Sequence, residues 1–263
     1  MITTFNLFTS VSWIITGFIS AILSILFLIK NPKKRLNQLF SAGFICWSLS
    51  MSFNGIVFAV AQNSLRIANI FRDLSVIFGI LSGFVLFAAA YGIYFGAESL
   101  NWILYASVIV IAGVLSGFGA ANDWVTQDGL GGFKTTDNLI GKICTQIITA
   151  VFVVFANGLL ILTYRSSTNP KAKKRVGYFV IGYSTIIIGL LMFVIDSFIE
   201  ISPYVFPTFA LITWVMGPIL MLIGFYVKAE SNTSSLTKND LVKQDELQLL
   251  KSKQEQQKTE RPS

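Results

Sequence analysis

The chain has 263 residues, of which 54% are hydrophobic and 13% are charged, and its formal net charge is +7. Soluble domains carry about a quarter charged residues, so this composition excludes an ordinary soluble domain. Together with a mean hydropathy of +0.68, it predicts a single bundle of membrane helices.

Seven apolar stretches are each long enough to cross a bilayer core, which takes about 20 residues of α-helix. The predicted fold class is therefore all-α, a polytopic seven-transmembrane-helix bundle. In chain order the predicted spans cover residues 11–29, 39–61, 74–95, 101–120, 139–164, 176–199 and 205–227. The first residues lack the basic start of a cleaved signal peptide and lead directly into a full-length span.

Two similar basic connections, NPKKR at 31–35 and NPKAKKR at 169–175, follow the first and fifth spans. Lys and Arg accumulate in short cytoplasmic loops, so both connections are expected in the cytoplasm. The loops on that side carry nine basic residues before the tail, against four on the opposite side. The N-terminus is therefore predicted outside and the C-terminus inside, in a multi-pass protein of the cell membrane. A nucleic-acid partner is not indicated, because the basic residues form juxtamembrane clusters without interleaved aromatic residues.

The end of span 3, YGIYFGAE at 91–98, shares Gly, Tyr, Ala and Glu in register with the end of span 7, IGFYVKAE at 223–230. Together with the two basic connections, this match suggests two groups of three spans with span 4 between them. Such a three-plus-one-plus-three repeat would superpose spans 1–3 on spans 5–7. The alternative is coincidence, because Asn-Pro with lysines is common punctuation after helices.

Small residues spaced four apart predict close helix contacts within the bundle. They are Ser75, Gly79 and Gly83 on span 3, and Gly113 and Gly117 on span 4. In span 7 the pair Gly217-Pro218 predicts a kink, since proline removes one backbone hydrogen bond.

Two polar segments accompany the spans. Residues 121–138 form a long external loop, which its glycines make flexible or turn-rich, and which is long enough to act either as a lid or as a simple connection. The bundle is predicted to cover residues 1–228. Residues 229–263 form a polar, mixed-charge tail, which is expected in the cytoplasm as a partly helical or disordered segment.

The residue content excludes several kinds of chemistry. The chain has no histidine, so it offers no histidine acid–base group, metal ligand or phosphoacceptor. Cys46 and Cys144 fall inside spans and are predicted to be buried free thiols. No phosphate-binding loop motif is present, and the last span has no lysine for a retinal Schiff base. We therefore expect no enzymatic activity, no cofactor and no metal site.

The stretch NQLFSAGFICWSL at 37–49 resembles the start and centre of helix 2 in a known sensor module. This module is the seven-transmembrane N-terminal region of certain membrane histidine kinases and diguanylate cyclases. The basic run at 171–175, Asp196 and the following EISPYVFPTF extend the resemblance over most of residues 1–230. Gln38 stands where the family often has Arg, and the tail is far shorter than a kinase or cyclase domain. The resemblance implies a sensor without its own output enzyme.

Polar residues inside the spans are costly to bury and therefore mark a candidate site. They fall on shared helix faces in the outer half of the bundle, where they predict a ligand cavity. The candidate ligand-binding residues are Trp47, Ser50, Asn54, Asp73, Lys142, Gln146 and Asp196. In this cavity Lys142 is predicted to pair with Asp73 or Asp196. For each residue alone, hydrogen bonding between helices or snorkelling to the headgroups is the alternative.

The predicted function is a membrane sensor or receptor that binds a small molecule or lipid in this cavity, or responds to the bilayer itself. Spans 6 and 7 would pass the change to the tail and to a separate cytoplasmic signalling protein. The alternatives are a small-solute transporter built on the three-plus-one-plus-three arrangement and a purely structural membrane partner. Transport needs a polar path open to both sides, and the inner half offers little beyond Asn157 and Ser184.

Overall fold

Seven long helices make up the bundle in the computed structural model, which describes residues 4–127, 129, 131–199 and 205–226. All seven are long and apolar enough to cross a membrane, which confirms the predicted all-α class and the number of spans. The predicted tail lies outside the described residues. The helices are α1 (Thr4–Lys30), α2 (Arg35–Ala61), α3 (Leu65–Phe95), α4 (Trp102–Ala121), α5 (Leu139–Ser166), α6 (Pro170–Ile199) and α7 (Val205–Tyr226).

The helices α1, α2, α3 and α6 begin several residues before their predicted spans. The largest difference is in α3, which begins at Leu65 instead of residue 74, so that Arg72 and Asp73 lie about two turns inside the helix. Ser64 caps this helix, because its side chain accepts a hydrogen bond from the backbone N–H of Ile67. Hydropathy detects only the apolar part of a span, whereas a capped polar turn extends the helix beyond it.

The connection between α4 and α5 is a two-stranded antiparallel hairpin, which was not predicted from the sequence. Strand β1 (Asp123–Gln127) pairs with β2 (Phe133–Asp137), and Asp123 lies directly opposite Asp137. Gly129 and Gly131 in the turn have φ angles of +76° and +85°, which favour glycine. The expected turn-rich character of this loop is therefore confirmed at these glycines.

Six helices form a closed ring in the order α1, α2, α3, α5, α6 and α7, and α7 packs back against α1. Helix α4 lies outside this ring and packs against α3 and α5. In both triplets the middle helix, α2 or α6, packs against both of its chain neighbours. A three-plus-one-plus-three repeat requires this common order, but a plain sequential ring with α4 displaced would also produce it. The superposition of the two triplets therefore stays a prediction.

The two ends of the ring differ in chemistry. The hairpin end holds the start of α1 and the end of α2, because Asn6 contacts Phe133 and Ala61 packs in the same cluster as Val125. The opposite end, hereafter the basic end, carries the connections NPKKR and NPKAKKR, since successive helices alternate in direction.

Aromatic side chains fill much of the ring interior. One group lies nearer the hairpin end, where Trp214 packs against Trp13 and Trp47 with ring centroids 4.8 and 5.6 Å apart. A second group lies towards the basic end and centres on Phe27, whose ring is 5.0 Å from those of Phe40 and Phe225. Both groups belong to one continuous core cluster.

Glycines set the close approach of α6 and α7. A Cβ atom added at Gly182 would lie 2.6 Å from Cγ of Met221 and 2.8 Å from the carbonyl oxygen of Gly217. The prediction of close contacts at Gly79 and Gly83 is confirmed, because added Cβ atoms there would lie 3.0 Å from Ser50 and 3.2 Å from Thr149. The same prediction is wrong for Gly113 and Gly117 on α4, where an added Cβ atom meets nothing within 4 Å.

Candidate functional site

The hairpin is anchored over the ends of α1, α2 and α3. Asn6 on α1 makes two hydrogen bonds to the backbone of Phe133, one donated by its Nδ2 at 2.9 Å and one accepted by its Oδ1 at 3.1 Å. The backbone N–H of Val125 donates to Oδ1 of Asn69 on α3 at 2.7 Å. The Val125 side chain packs in a buried cluster with Val57 and neighbouring residues. The hairpin thus forms a lid at this end of the ring.

A buried ion pair joins this lid to α3. Nε of Arg72 donates to Oδ2 of Asp123 at 2.8 Å, and Nη2 of Arg72 lies 2.5 Å from the same oxygen. The Asp123 side chain is fully buried, whereas 16% of the Arg72 side chain is exposed. Neither residue was among the sequence-based candidates, because both were placed in loops rather than on a helix and a strand that meet.

Arg72 also reaches α2, so that one guanidinium connects three elements. Its Nη1 donates to Oδ1 of Asn54 at 2.9 Å. Asn54 is buried, and its predicted place at a polar site is supported by this contact. Asp73, the next residue on α3, is half-buried, and the charges of Asp123 and Arg72 act on it.

Gln146 and Lys142 approach the lid from α5. Nε2 of Gln146 donates to Oδ2 of Asp137 at 3.0 Å, which ties β2 to α5. Gln146 lies in a π-helical segment of α5, Ile143–Ile148. Segments of this kind are rare and occur frequently at functional sites, because the extra residue redirects side chains. The ammonium group of Lys142 lies 5.2 Å from the ring centroid of Phe198 on α6.

The other three candidates, which lie away from the lid contacts described above, are Asp196 on α6 and Ser50 and Trp47 on α2. Asp196 is half-buried on α6, two residues before Phe198, so α5 and α6 approach each other near Lys142. The predicted ion pair of Lys142 with Asp73 or Asp196 stays a prediction.

Ser50 donates its Oγ hydrogen to the carbonyl of Ser75 at 2.8 Å and accepts the reciprocal bond at 2.9 Å through its own carbonyl. Ser50 therefore fastens α2 to α3.

Trp47 lies deeper, among the aromatic side chains of the ring interior. Its indole Nε1 is buried and has no hydrogen-bond partner within the described part of the chain, and the same holds for Nε1 of Trp13 and the hydroxyl of Tyr183. Nδ2 of Asn157 donates to Oγ of Ser184 at 2.9 Å. The middle of the ring therefore contains a few polar groups inside an aromatic core.

Two carboxylates meet across the base of the hairpin. Asp123 and Asp137 are cross-strand partners, an arrangement in which like charges repel. Oδ1 of Asp123 is buried and accepts no hydrogen bond from the described residues, which is an expensive state for a carboxylate oxygen. Burial, and then the charge of Asp123, raise the pKa of Asp137, while the cations Arg72 and Lys142 partly oppose this shift. The base of the hairpin can therefore gain a proton more readily than an exposed carboxylate.

The lid should consequently be more stable in mild acid. Because the pKa of Asp137 is higher in the folded protein than in the unfolded chain, its stabilising contribution is complete below the ordinary carboxyl pKa and is lost as pH rises through the raised value. We expect limited proteolysis of the hairpin turn to be slower near pH 5 than near pH 7, because a larger fraction of Asp137 is protonated at the lower pH. Asp137→Asn should remove most of this difference, whereas Glu98→Gln, at an exposed position, should keep it. Equal pH dependence in wild type and Asp137→Asn would show that another group controls the lid.

The chemistry available at this end is ion pairing and proton binding. Within the ranges that the structure describes, no group of three or more Cys, Asp and Glu side chains is arranged to hold a metal ion. No protein-family model matches the chain, and no curated protein matches it.

Proposed function

We propose that this protein is a multi-pass sensor of the cell membrane, with the hairpin end outside and the basic end in the cytoplasm. It would be a seven-helix sensory module of the histidine-kinase type without its own catalytic domain, and it would signal to a separate cytoplasmic protein through its tail. The observation that supports this proposal is the buried Asn54–Arg72–Asp123 network, which ties a lid to α2 and α3.

The network suggests how the protein would detect a stimulus. A small molecule that carries a carboxylate would compete with Asp123 for Arg72, because guanidinium groups bind carboxylates through paired hydrogen bonds. This competition would loosen the lid from α3, and the conformational change would reach α7 through the packing of Trp13 on Trp214.

A small-solute transporter is the second candidate. It is favoured by the common helix order of the two triplets. The sensor is favoured by the aromatic core that fills the ring between the lid and the basic end, because transport requires a polar path through the same space. Solute counterflow into proteoliposomes separates the two functions: we expect none, and robust counterflow of any solute would overturn the sensor proposal.

The proposed orientation can be tested by cysteine labelling in intact cells. With Cys46 and Cys144 replaced by serine, single cysteines at Ser64 and at Gln127 should react with a membrane-impermeant thiol reagent, since both positions lie at the hairpin end. A cysteine at Ser167, in the connection at the basic end, should react only after the cells are opened. Labelling at Ser167 in intact cells would reverse the orientation.

Lys142 should influence the lid from a distance. Its positive charge opposes the raised pKa of Asp137, so Lys142→Met should raise this pKa further and move the pH at which the hairpin becomes protected towards neutrality. Lys134→Met, on the exposed face of β2, should change the proteolysis profile much less. Indistinguishable profiles for the two variants would remove Lys142 from the site.

A further inference from the structure

An open cavity lies at the basic end, far from the lid. It has a volume of about 620 Å³, which is within the usual range for small-ligand sites. The cavity lies between the first turns of α2 and α4, where both helices enter the apolar part of the bundle. Its lining includes Arg35, Gln38, Leu39, Leu100, Trp102 and Tyr105.

The lining combines apolar and polar residues. Leu39, Ala42 and Leu100 are apolar, whereas Arg35 supplies a cation. The two amide side chains of the lining have local partners: Nε2 of Gln38 donates to the carbonyl of Pro32 at 2.8 Å, and Oδ1 of Asn101 accepts from the backbone N–H of Leu104 at 2.9 Å. Arg35 is therefore the charged group that this cavity presents to a ligand.

The charge around Arg35 is positive. Lys33 and Lys34 precede it in the same connection, and within the described part of the chain no carboxylate forms a salt bridge with it. Glu98 lies in the segment just before Leu100, is exposed and does not line the cavity. An unpaired guanidinium beside other cations favours an anionic ligand, and its planar fork matches phosphate oxygens.

The position of the cavity identifies the source of that phosphate. Trp102 is 76% exposed at the first residue of α4, and Tyr105 lies one turn further along. Tryptophan and tyrosine are enriched where membrane helices pass the headgroup region. A ligand that places a phosphate at Arg35 and an apolar chain against Leu39 and Ala42 is amphipathic, as a phospholipid is.

We propose that this cavity is a binding site for the headgroup of an anionic phospholipid, held by Arg35 and seated between α2 and α4. The proposal does not depend on the sensor function, since a transporter would have the same cavity. Anionic lipid bound there would fix α4, which lies outside the ring, to the start of α2.

The site can be tested by native mass spectrometry of the full chain in mild detergent, titrated with phosphatidylglycerol or phosphatidylcholine. Loss of one general surface charge weakens binding of anionic lipid by about fivefold at low salt, and screening reduces this effect. We expect Arg35→Gln to weaken phosphatidylglycerol binding by about tenfold and to keep part of this loss in high salt, because paired hydrogen bonds to the phosphate are lost together with the charge. Lys33→Gln, in the same connection but outside the cavity, should have little effect in high salt.

Four results would overturn the proposal. Equal losses for Arg35→Gln and Lys33→Gln would show general surface attraction. Unchanged phosphatidylglycerol binding by Ala42→Phe, which enlarges an apolar lining residue without changing charge, would place the lipid elsewhere. Displacement of phosphatidylglycerol by inorganic phosphate at equal concentration would identify a site for free phosphate. Equal affinity for phosphatidylcholine would also contradict an anionic headgroup site.

Discussion

Arg72→Met is expected to lower the free energy of unfolding by about 3 to 5 kcal/mol, because it leaves a buried carboxylate without its partner. The Asp123 side chain is fully buried and forms its ion pair with Arg72. Removal of the guanidinium therefore leaves a buried negative charge beneath the hairpin without this partner. Thermal unfolding in detergent, or reversible unfolding in bicelles, would measure the loss. The exposed Arg66, on the same helix, provides the control Arg66→Met, which should change stability little.

The double variant Arg72→Met/Asp123→Leu tests whether the stability lost in Arg72→Met comes from the unpaired charge of Asp123. It removes both charges together, and replacement of a buried ion pair by apolar side chains is often neutral or stabilising. We therefore expect the double variant to recover most of the stability that Arg72→Met loses. A double variant that is as unstable as the sum of the two single variants would show that Arg72 and Asp123 contribute independently, and the lid would then not depend on their pairing.

Gly182→Ala is expected to destabilise the protein by about 2 kcal/mol, as overpacking of a close helix contact does. The added Cβ atom would lie 2.8 Å from the carbonyl oxygen of Gly217, so backbone atoms of α6 or α7 must move. Alanine is otherwise the better helix former, and Gly113→Ala on α4, where space is open, should stabilise by up to about 1 kcal/mol. The two substitutions are chemically identical, and melting temperatures that shift in the same direction would contradict the close packing of α6 on α7.

Much of the fold follows from hydropathy alone. Seven apolar stretches of sufficient length define seven helices, and all seven helices end close to the predicted positions, whereas α1, α2, α3 and α6 begin earlier than predicted. The prediction was wrong at Gly113 and Gly117, because small-residue spacing does not show which helix face meets a neighbour. The glycines that do pack between α6 and α7 recur seven apart, at 182 and 189 and at 217 and 224, and this spacing was visible in the sequence.

The candidate site was predicted in part. Asn54 and Gln146 were identified because polar residues inside apolar spans are rare. Asn54 accepts a hydrogen bond from Arg72, and Gln146 donates one to Asp137. Arg72 and Asp123 were missed, because an arginine at a predicted helix end and an aspartate in a loop look like ordinary surface charges. Alternating side chains in DWVTQ and FKTTD, separated by glycines, were the available signal for the hairpin. The meeting of this hairpin with α3 depends on tertiary packing that one sequence does not reveal.

Coupling between the lid and the basic end is the central claim of the sensor proposal. It is tested most directly by electron paramagnetic resonance distances between spin labels at Lys33 and Tyr226, both exposed at the basic end. Asp123→Asn, which removes the charge that holds the lid to Arg72, should release the hairpin to proteolysis and shift this distance by about 2 Å, the scale of helix movements in switching proteins. An unchanged distance in protein whose hairpin is cleaved more rapidly would contradict the proposal.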